Sequence, residues 1–173
     1  MFPANFIMVS AMNPCLCGHY PDFTKCTCSP TQIQQYLGKI SQPFLDRIDI
    51  CVEAPRIDYD VLTTRKKQES SAEIRKRVCQ ARERQKERFS GTGILTNSML
   101  SVKELERYCK LGAEESQLMK KAFESLNLTA RTYHKILKVA RTIADLDEKE
   151  QIEAVHLKEA IGYRILDKKY WGR

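Results

Sequence analysis

The sequence has no apolar run approaching the roughly 18–20 residues that cross a bilayer, which argues against a membrane-spanning helix. Its first residues lack the basic start and apolar centre of a signal peptide, so a cytoplasmic protein is expected. No internal repeat and no low-complexity tract interrupts it. No G-x-x-x-x-G-K-[ST] loop occurs either: Gly91-Thr-Gly93 is followed by Ile94 where a lysine would be needed. That absence excludes autonomous P-loop nucleotide hydrolysis by these 173 residues.

What is present is an ordinary globular composition, 42% hydrophobic and 29% charged, in a chain long enough to bury a core. Seven cysteines is an odd number. In a reducing compartment that favours metal ligation or free thiols over a disulfide framework. The net charge of +7 is unevenly spread. Residues 61–90 carry 10 Lys/Arg against 4 Asp/Glu, whereas residues 1–60 carry 4 against 6.

Phe6–Ala11 is a nearly continuous apolar run, the pattern of a strand buried on both faces. It ends at Asn13-Pro14, and four cysteines follow as C-x-C-x8-C-x-C: Cys15, Cys17, Cys26 and Cys28. Ser29-Pro30-Thr31-Gln32 reads as a capped helix start, with Ile33, Tyr36, Leu37 and Ile40 as its apolar stripe and Pro43 as its stop. Alternation of Ile48, Ile50 and Val52 predicts a second strand ending at Pro55.

After about residue 56 the character changes to helix. Capping boxes at Ser70-Ser-Ala-Glu73 and Ser101-Val-Lys-Glu104 open a long basic helix and a short one. Further helices are predicted over 113–126, from Thr129 along an apolar face through Ala144, and from about Glu153 to Arg164. The fold class is therefore mixed α/β but mostly α: two strands plus a helix, then a helical bundle. Two strands alone cannot form a sheet buried on both faces, so the α/β part reads as the end of a larger sheet domain.

Several motifs together resemble one family. They are Phe2-Pro-Ala-Asn-Phe6, Ser10-Ala-Met-Asn-Pro-Cys-Leu-Cys-Gly18, Cys26-Thr-Cys-Ser-Pro30, Leu45-Asp-Arg-Ile-Asp49, the run Thr129–Asp145, and Glu159-Ala-Ile-Gly-Tyr-Arg164. The family is the magnesium-chelatase-like AAA+ ATPases of the ComM/YifB group, and the resemblance covers almost the whole chain. It implies that residues 1–55 are the C-terminal part of an AAA+ P-loop core, 56–70 a linker, and 71–173 the helical lid.

The resemblance also implies roles for three residues. Asn13 matches sensor 1, where a neutral amide that both donates and accepts contacts the γ-phosphate or the attacking water. Residue chemistry alone allows an Asn that only satisfies loop backbone. Arg47 matches the arginine finger that enters a neighbouring subunit's ATP site; the alternative is a salt bridge to Asp46 or Asp49. Arg131, in the first turn of its helix, matches sensor 2, a lid arginine on the nucleotide phosphates, against the alternative of an exposed first-turn arginine. The cofactors implied are ATP and Mg2+. The partners implied are an N-terminal AAA+ half, other subunits of a homo-oligomeric ring (a hexamer), and DNA. The family's Walker A and B motifs do not occur in these residues.

The cysteines leave two readings open. Four thiolates within fourteen residues could bind a structural Zn2+, with His19 a candidate substitute ligand, or they form a redox-labile or simply packed thiol loop. Cys51, Cys79 and Cys109 are expected to be small core residues. Arg75, Lys76, Arg77, Arg82, Arg84, Lys86 and Arg88 could face phosphates, but interleaved glutamates favour a solvated, ion-paired face. Two other functions stay in view. One is a zinc-loop nucleic-acid-binding module acting without nucleotide, and the other is a helical adaptor for a protein partner.

Overall fold

A computed structural model describes residues 6–54, 59, 63 and 69–171, apart from the side chains of Asp167 and Lys168. The linker expected over 56–70 falls almost wholly outside the described residues. Seven α-helices are described: α1 (Pro30–Leu37), α2 (Gln42–Leu45), α3 (Ser71–Arg88), α4 (Val102–Tyr108), α5 (Ala113–Ser125), α6 (Ala130–Leu146) and α7 (Ala154–Trp171). A single 3-10 turn at Asn97–Met99 joins α3 to α4.

The helix starts follow their local chemistry. Ser29, Ser70 and Ser101 each accept from the backbone N–H three residues on, and Gln32, Glu73 and Glu104 return the bond to the cap residue. Thr129 caps α6 through Thr132 N–H. Pro43 does more than stop α1: it sits in the first turn of α2, where its missing N–H costs nothing.

The bundle is organised around α6. Its apolar face packs on α7 and α3, on the 3-10 turn and on α4, while α5 covers α7. Ile136, Leu137, Ala140, Leu157 and Ala160 are almost completely buried there, with Phe89 closing the end of α3. The first ten residues of α3, Ser71–Gln80, are all exposed; burial begins at Ala81.

The two expected strands are corrected: no strand occurs among the described residues. Phe6, Ile7 and Val9 are exposed, as are Ile50 and Val52. A strand is held by ladder hydrogen bonds to a neighbour, and among the described residues neither segment has one. The segment after Arg47 runs instead along α7, where Cys51 N–H donates to Tyr163 O at 3.4 Å. The mostly helical part of the fold class holds.

The last helix is longer than its apolar spacing predicts, reaching Trp171 rather than Arg164. Its final turns are held by a second, small core of Cys15, Ile33 and Leu37, against which Tyr170 and Trp171 pack. Of the three cysteines expected in the core, Cys109 is buried, Cys51 half-buried and Cys79 exposed.

Candidate functional site

The residues between Asn13 and Ser29 have almost no apolar core of their own, and the cysteines take its place. Gly18, at φ +78°, closes a tight turn in which its N–H donates to Cys15 O at 3.1 Å. Asp22 makes the return turn, accepting from Thr24 N–H and hydroxyl. These turns aim all four sulfurs inward. Cys15 Sγ lies 3.4 Å from Cys17 Sγ and 3.8 Å from Cys26 Sγ, and Cys17 and Cys26 are 3.5 Å apart. All four sulfurs lie within 4.8 Å of one another, and none is in a disulfide.

A zinc ion with Zn–S bonds near 2.3 Å sets its sulfurs about 3.8 Å apart at the corners of a tetrahedron. The observed separations therefore suit one tetrahedral thiolate site. His19 is not needed to complete the group of four.

The electrostatics are uneven. The His19 N–H bonded to its sulfur holds Cys17 down to about 5, with Thr27 N–H assisting. Burial opposes ionisation of Cys15, but N–H groups of Tyr20 (3.4 Å) and His19 hold it below its ordinary value. Burial pushes Cys26 up to about 12, and the neighbouring thiols add to the effect. Cys28 accepts from Cys17 N–H, yet burial and the adjacent sulfurs still raise it. The surroundings thus favour the thiolate at Cys15 and Cys17 and oppose it at Cys26 and Cys28, and a bound dication would favour it at all four.

Asn13 is exposed at the entrance to this loop, where a Cβ on Gly18 would stand 3.7 Å from its Cγ. Arg47 is exposed at the end of α2 and donates from NH1 to Pro43 O at 2.6 Å. Among the described residues it forms no ion pair with either flanking aspartate. Asp46 accepts from Gln42 (3.2 Å), and Asp49 pairs with Lys135 of α6 (2.6 Å). Arg131 is exposed in the first turn of α6, also with no ion pair among the described residues. The fold gathers the four cysteines; it does not bond Asn13 to Arg47 or Arg131.

Three side chains that sequence reasoning missed hold this region together. Arg164, only 4% exposed, donates from NH1 to Ile48 O at 2.7 Å and from NH2 to Leu45 O at 3.4 Å. Lys135 Nζ donates to Arg47 O as well as to Asp49. Trp171 Nε1 donates to Leu37 O at 2.9 Å. A signal for Arg164 existed: it continues the buried stripe Leu157, Ala160, Ile161 at helical spacing, a charged residue on an apolar face.

Residues 68–164 match the family described as magnesium chelatase, subunit ChlI C-terminal, and residues 1–62 match magnesium chelatase, subunit ChlI. The chain belongs to the magnesium chelatase ChlI family. It is 45% identical over 166 residues to the competence protein ComM of Haemophilus influenzae, covering 95% of this chain and 32% of that protein. To the protein YifB of Escherichia coli it is 40% identical over 169 residues, covering 96% of this chain and 32% of YifB. A Mycobacterium bovis protein, Mb2921c, is 33% identical over 145 residues, 84% of this chain and 28% of its own length. The chain spans about a third of the length of the curated relatives it matches. No helix among the described residues is long and apolar enough to cross a membrane.

Proposed function

We propose that this chain supplies the lid and the trans-acting elements of a ring-forming, magnesium-chelatase-like AAA+ ATPase that remodels DNA. In this reading Arg47 is the arginine finger, Asn13 is sensor 1 and Arg131 is sensor 2. ATP and Mg2+ are held by a phosphate-loop half that these residues do not contain. The observation that carries the reading is the state of Arg47. It is flanked by two aspartates yet ion-paired with neither, because Gln42 and Lys135 engage them. A guanidinium left exposed in this way is available to a neighbouring subunit's nucleotide. DNA as the material acted on comes from the resemblance to the ComM/YifB group, and the similarity to the competence protein ComM supports that resemblance.

Within the same reading the four cysteines hold a structural Zn2+. The convergence of four sulfurs within 4.8 Å of one another, three of them 3.4–3.8 Å apart, in a loop without other core supports this over a packed thiol loop. The zinc fixes the loop between Asn13 and α1, and with it the spacing of the elements that carry Asn13 and Arg47.

The test is ATP hydrolysis by the assembled ATPase. Arg47→Ala should lower kcat by orders of magnitude while nucleotide still binds. An Arg47→Ala ring that hydrolyses ATP at the wild-type rate would exclude the finger role. A chain that binds DNA only when metal-loaded and without any nucleotide effect would instead mark a zinc-loop nucleic-acid-binding module.

A further inference from the structure

Arg47 sits just past a helix of only four residues, Gln42–Leu45. A helix end leaves carbonyls without intrahelical partners. Here the turn beyond it closes only partly, through Arg47 N–H to Phe44 O (2.9 Å) and Ile48 N–H to Leu45 O (3.0 Å). The carbonyls of Arg47 and Ile48, and that of Leu45 in addition to its turn bond, accept from two cations of the lid. Arg164, from α7, takes Leu45 and Ile48; Lys135, from α6, takes Arg47 and adds the Asp49 carboxylate. These contacts join residues 86 to 119 positions apart in sequence.

Arg164 is nearly buried, and the Lys135 side chain is 18% exposed. A buried guanidinium is costly unless it is hydrogen-bonded, and here both terminal nitrogens of Arg164 donate to backbone oxygens of the loop. That choice holds the main chain of the loop and leaves the Arg47 side chain outside the contact.

We propose that Lys135 and Arg164 are positioning residues for Arg47, so that the lid of a subunit carries that subunit's own arginine finger as one body. The proposal rests on the finger reading of Arg47. Any rotation of α6 and α7 displaces the backbone that bears the guanidinium. Nucleotide-driven lid movement in one subunit is thereby transmitted to the site of its neighbour.

The experiment uses the assembled ATPase with Lys135→Met, Arg164→Met, Arg164→Lys and Arg47→Ala, alone and combined. Misplacing a catalytic group by about 1 Å costs on the order of 100-fold. Lys135→Met and Arg164→Met should therefore lower kcat about 10- to 100-fold with nucleotide KM unchanged. Arg164→Lys should recover part of the loss. Adding Arg164→Met to Arg47→Ala should cost nothing more, because the positioned group is already gone. Wild-type kcat in Lys135→Met and Arg164→Met, beside an inactive Arg47→Ala, would overturn the positioning role and leave the finger standing. Additive losses in the double variant would overturn it too. An active Arg47→Ala would remove both. Should Arg164→Met not fold, Lys135→Met carries the test, with faster hydrogen exchange expected at the Arg47 and Ile48 amides of this chain. Unchanged exchange there would count against the clamp.

Discussion

Trp171, the one tryptophan of the chain, donates its indole N–H to the Leu37 carbonyl at 2.9 Å. The bond ties the last turn of α7 to the helix that floors the cysteine cluster. Beside it, Tyr170 meets Tyr20 edge-on at 5.9 Å, and Glu53 accepts from both Tyr170 (2.8 Å) and Lys169 (2.6 Å). The end of α7 and the thiol loop therefore share one small core. The same helix, two turns earlier, grips the Arg47 loop through Arg164.

This arrangement makes Trp171 a reporter of the proposed zinc site. Purified under reducing conditions, the chain should carry about one Zn2+, and Cys26→Ser should carry none. Removing the metal with a chelator should shift Trp171 emission to the red as its packing loosens. Helix content of the bundle should change little, because Phe89, Ile136 and Leu157 belong to the other core. Less than about 0.2 Zn per chain would count against the tetrathiolate site, as would emission insensitive to chelation.

The buried polar network of the bundle gives a second expectation. Asp145 accepts from Arg88, Asn97 (2.8 Å) and Arg141 (3.2 Å), while Arg141 also holds the turn after α6 by donating to the carbonyls of Lys149 and Glu150 at 2.6 Å. Breaking a buried ion pair from one side costs about 3–5 kcal/mol, because it strands the other charge. Asp145→Asn strands two guanidiniums and should cost more than Arg88→Met, whose side chain is 19% exposed. Denaturant unfolding of both variants checks the order. Equal stabilities would mean that the network is not coupled in this way.

How much of this was legible in the sequence depended on how local the cause was. Helix starts were legible, since Ser70, Ser101 and Thr129 make their caps within three residues. The strands expected at Phe6 and Ile48 are not observed, because an apolar run or an alternation reports side chains to be buried while a strand also needs a partner for its backbone. The C-x-C pairs named the four thiols but not their convergence, which the turns at Gly18 and Asp22 decide. Lys135 and Trp171 were invisible because their partners, the carbonyls of Arg47 and Leu37 and the Asp49 carboxylate, lie far away in the chain, and a carbonyl has no sequence signature.

The capping boxes carry a pH dependence. Glu73 accepts from Ser70 N–H and Glu104 from Ser101 N–H, and each bond holds the carboxylate below its ordinary value of 4.5. The folded state thus favours the ionised form. Its contribution is present above the unfolded pKa near 4.5 and is lost as pH falls through the lower folded value. The stability gap between wild type and Glu104→Ala should therefore be constant from pH 7 down to about 5 and narrow as pH falls below the unfolded value near 4.5 toward the lower folded one. A gap that does not narrow in acid would assign the effect to something other than the charged cap.

The exposed half of α3 yields the last expectation, on the DNA side of the proposed function. Several of its cations are already engaged: Arg77 with Glu69 (2.7 Å), Lys86 with Glu83 (3.3 Å), Arg84 with Glu148 (3.3 Å) and Arg88 with Asp145. Arg75, Lys76 and Arg82 form no ion pair among the described residues, and they lie where the helix stands clear of the bundle or has only begun to join it. Reversing these three to glutamate should weaken DNA binding. It should also flatten the dependence of log K on log salt by about 2–3, close to one unit per lost phosphate contact. Reversing Arg77 and Lys86 should do less, since each already has an acidic partner. An unchanged salt slope in the triple variant would leave α3 as a solvated face and place the DNA contact on another part of the ring.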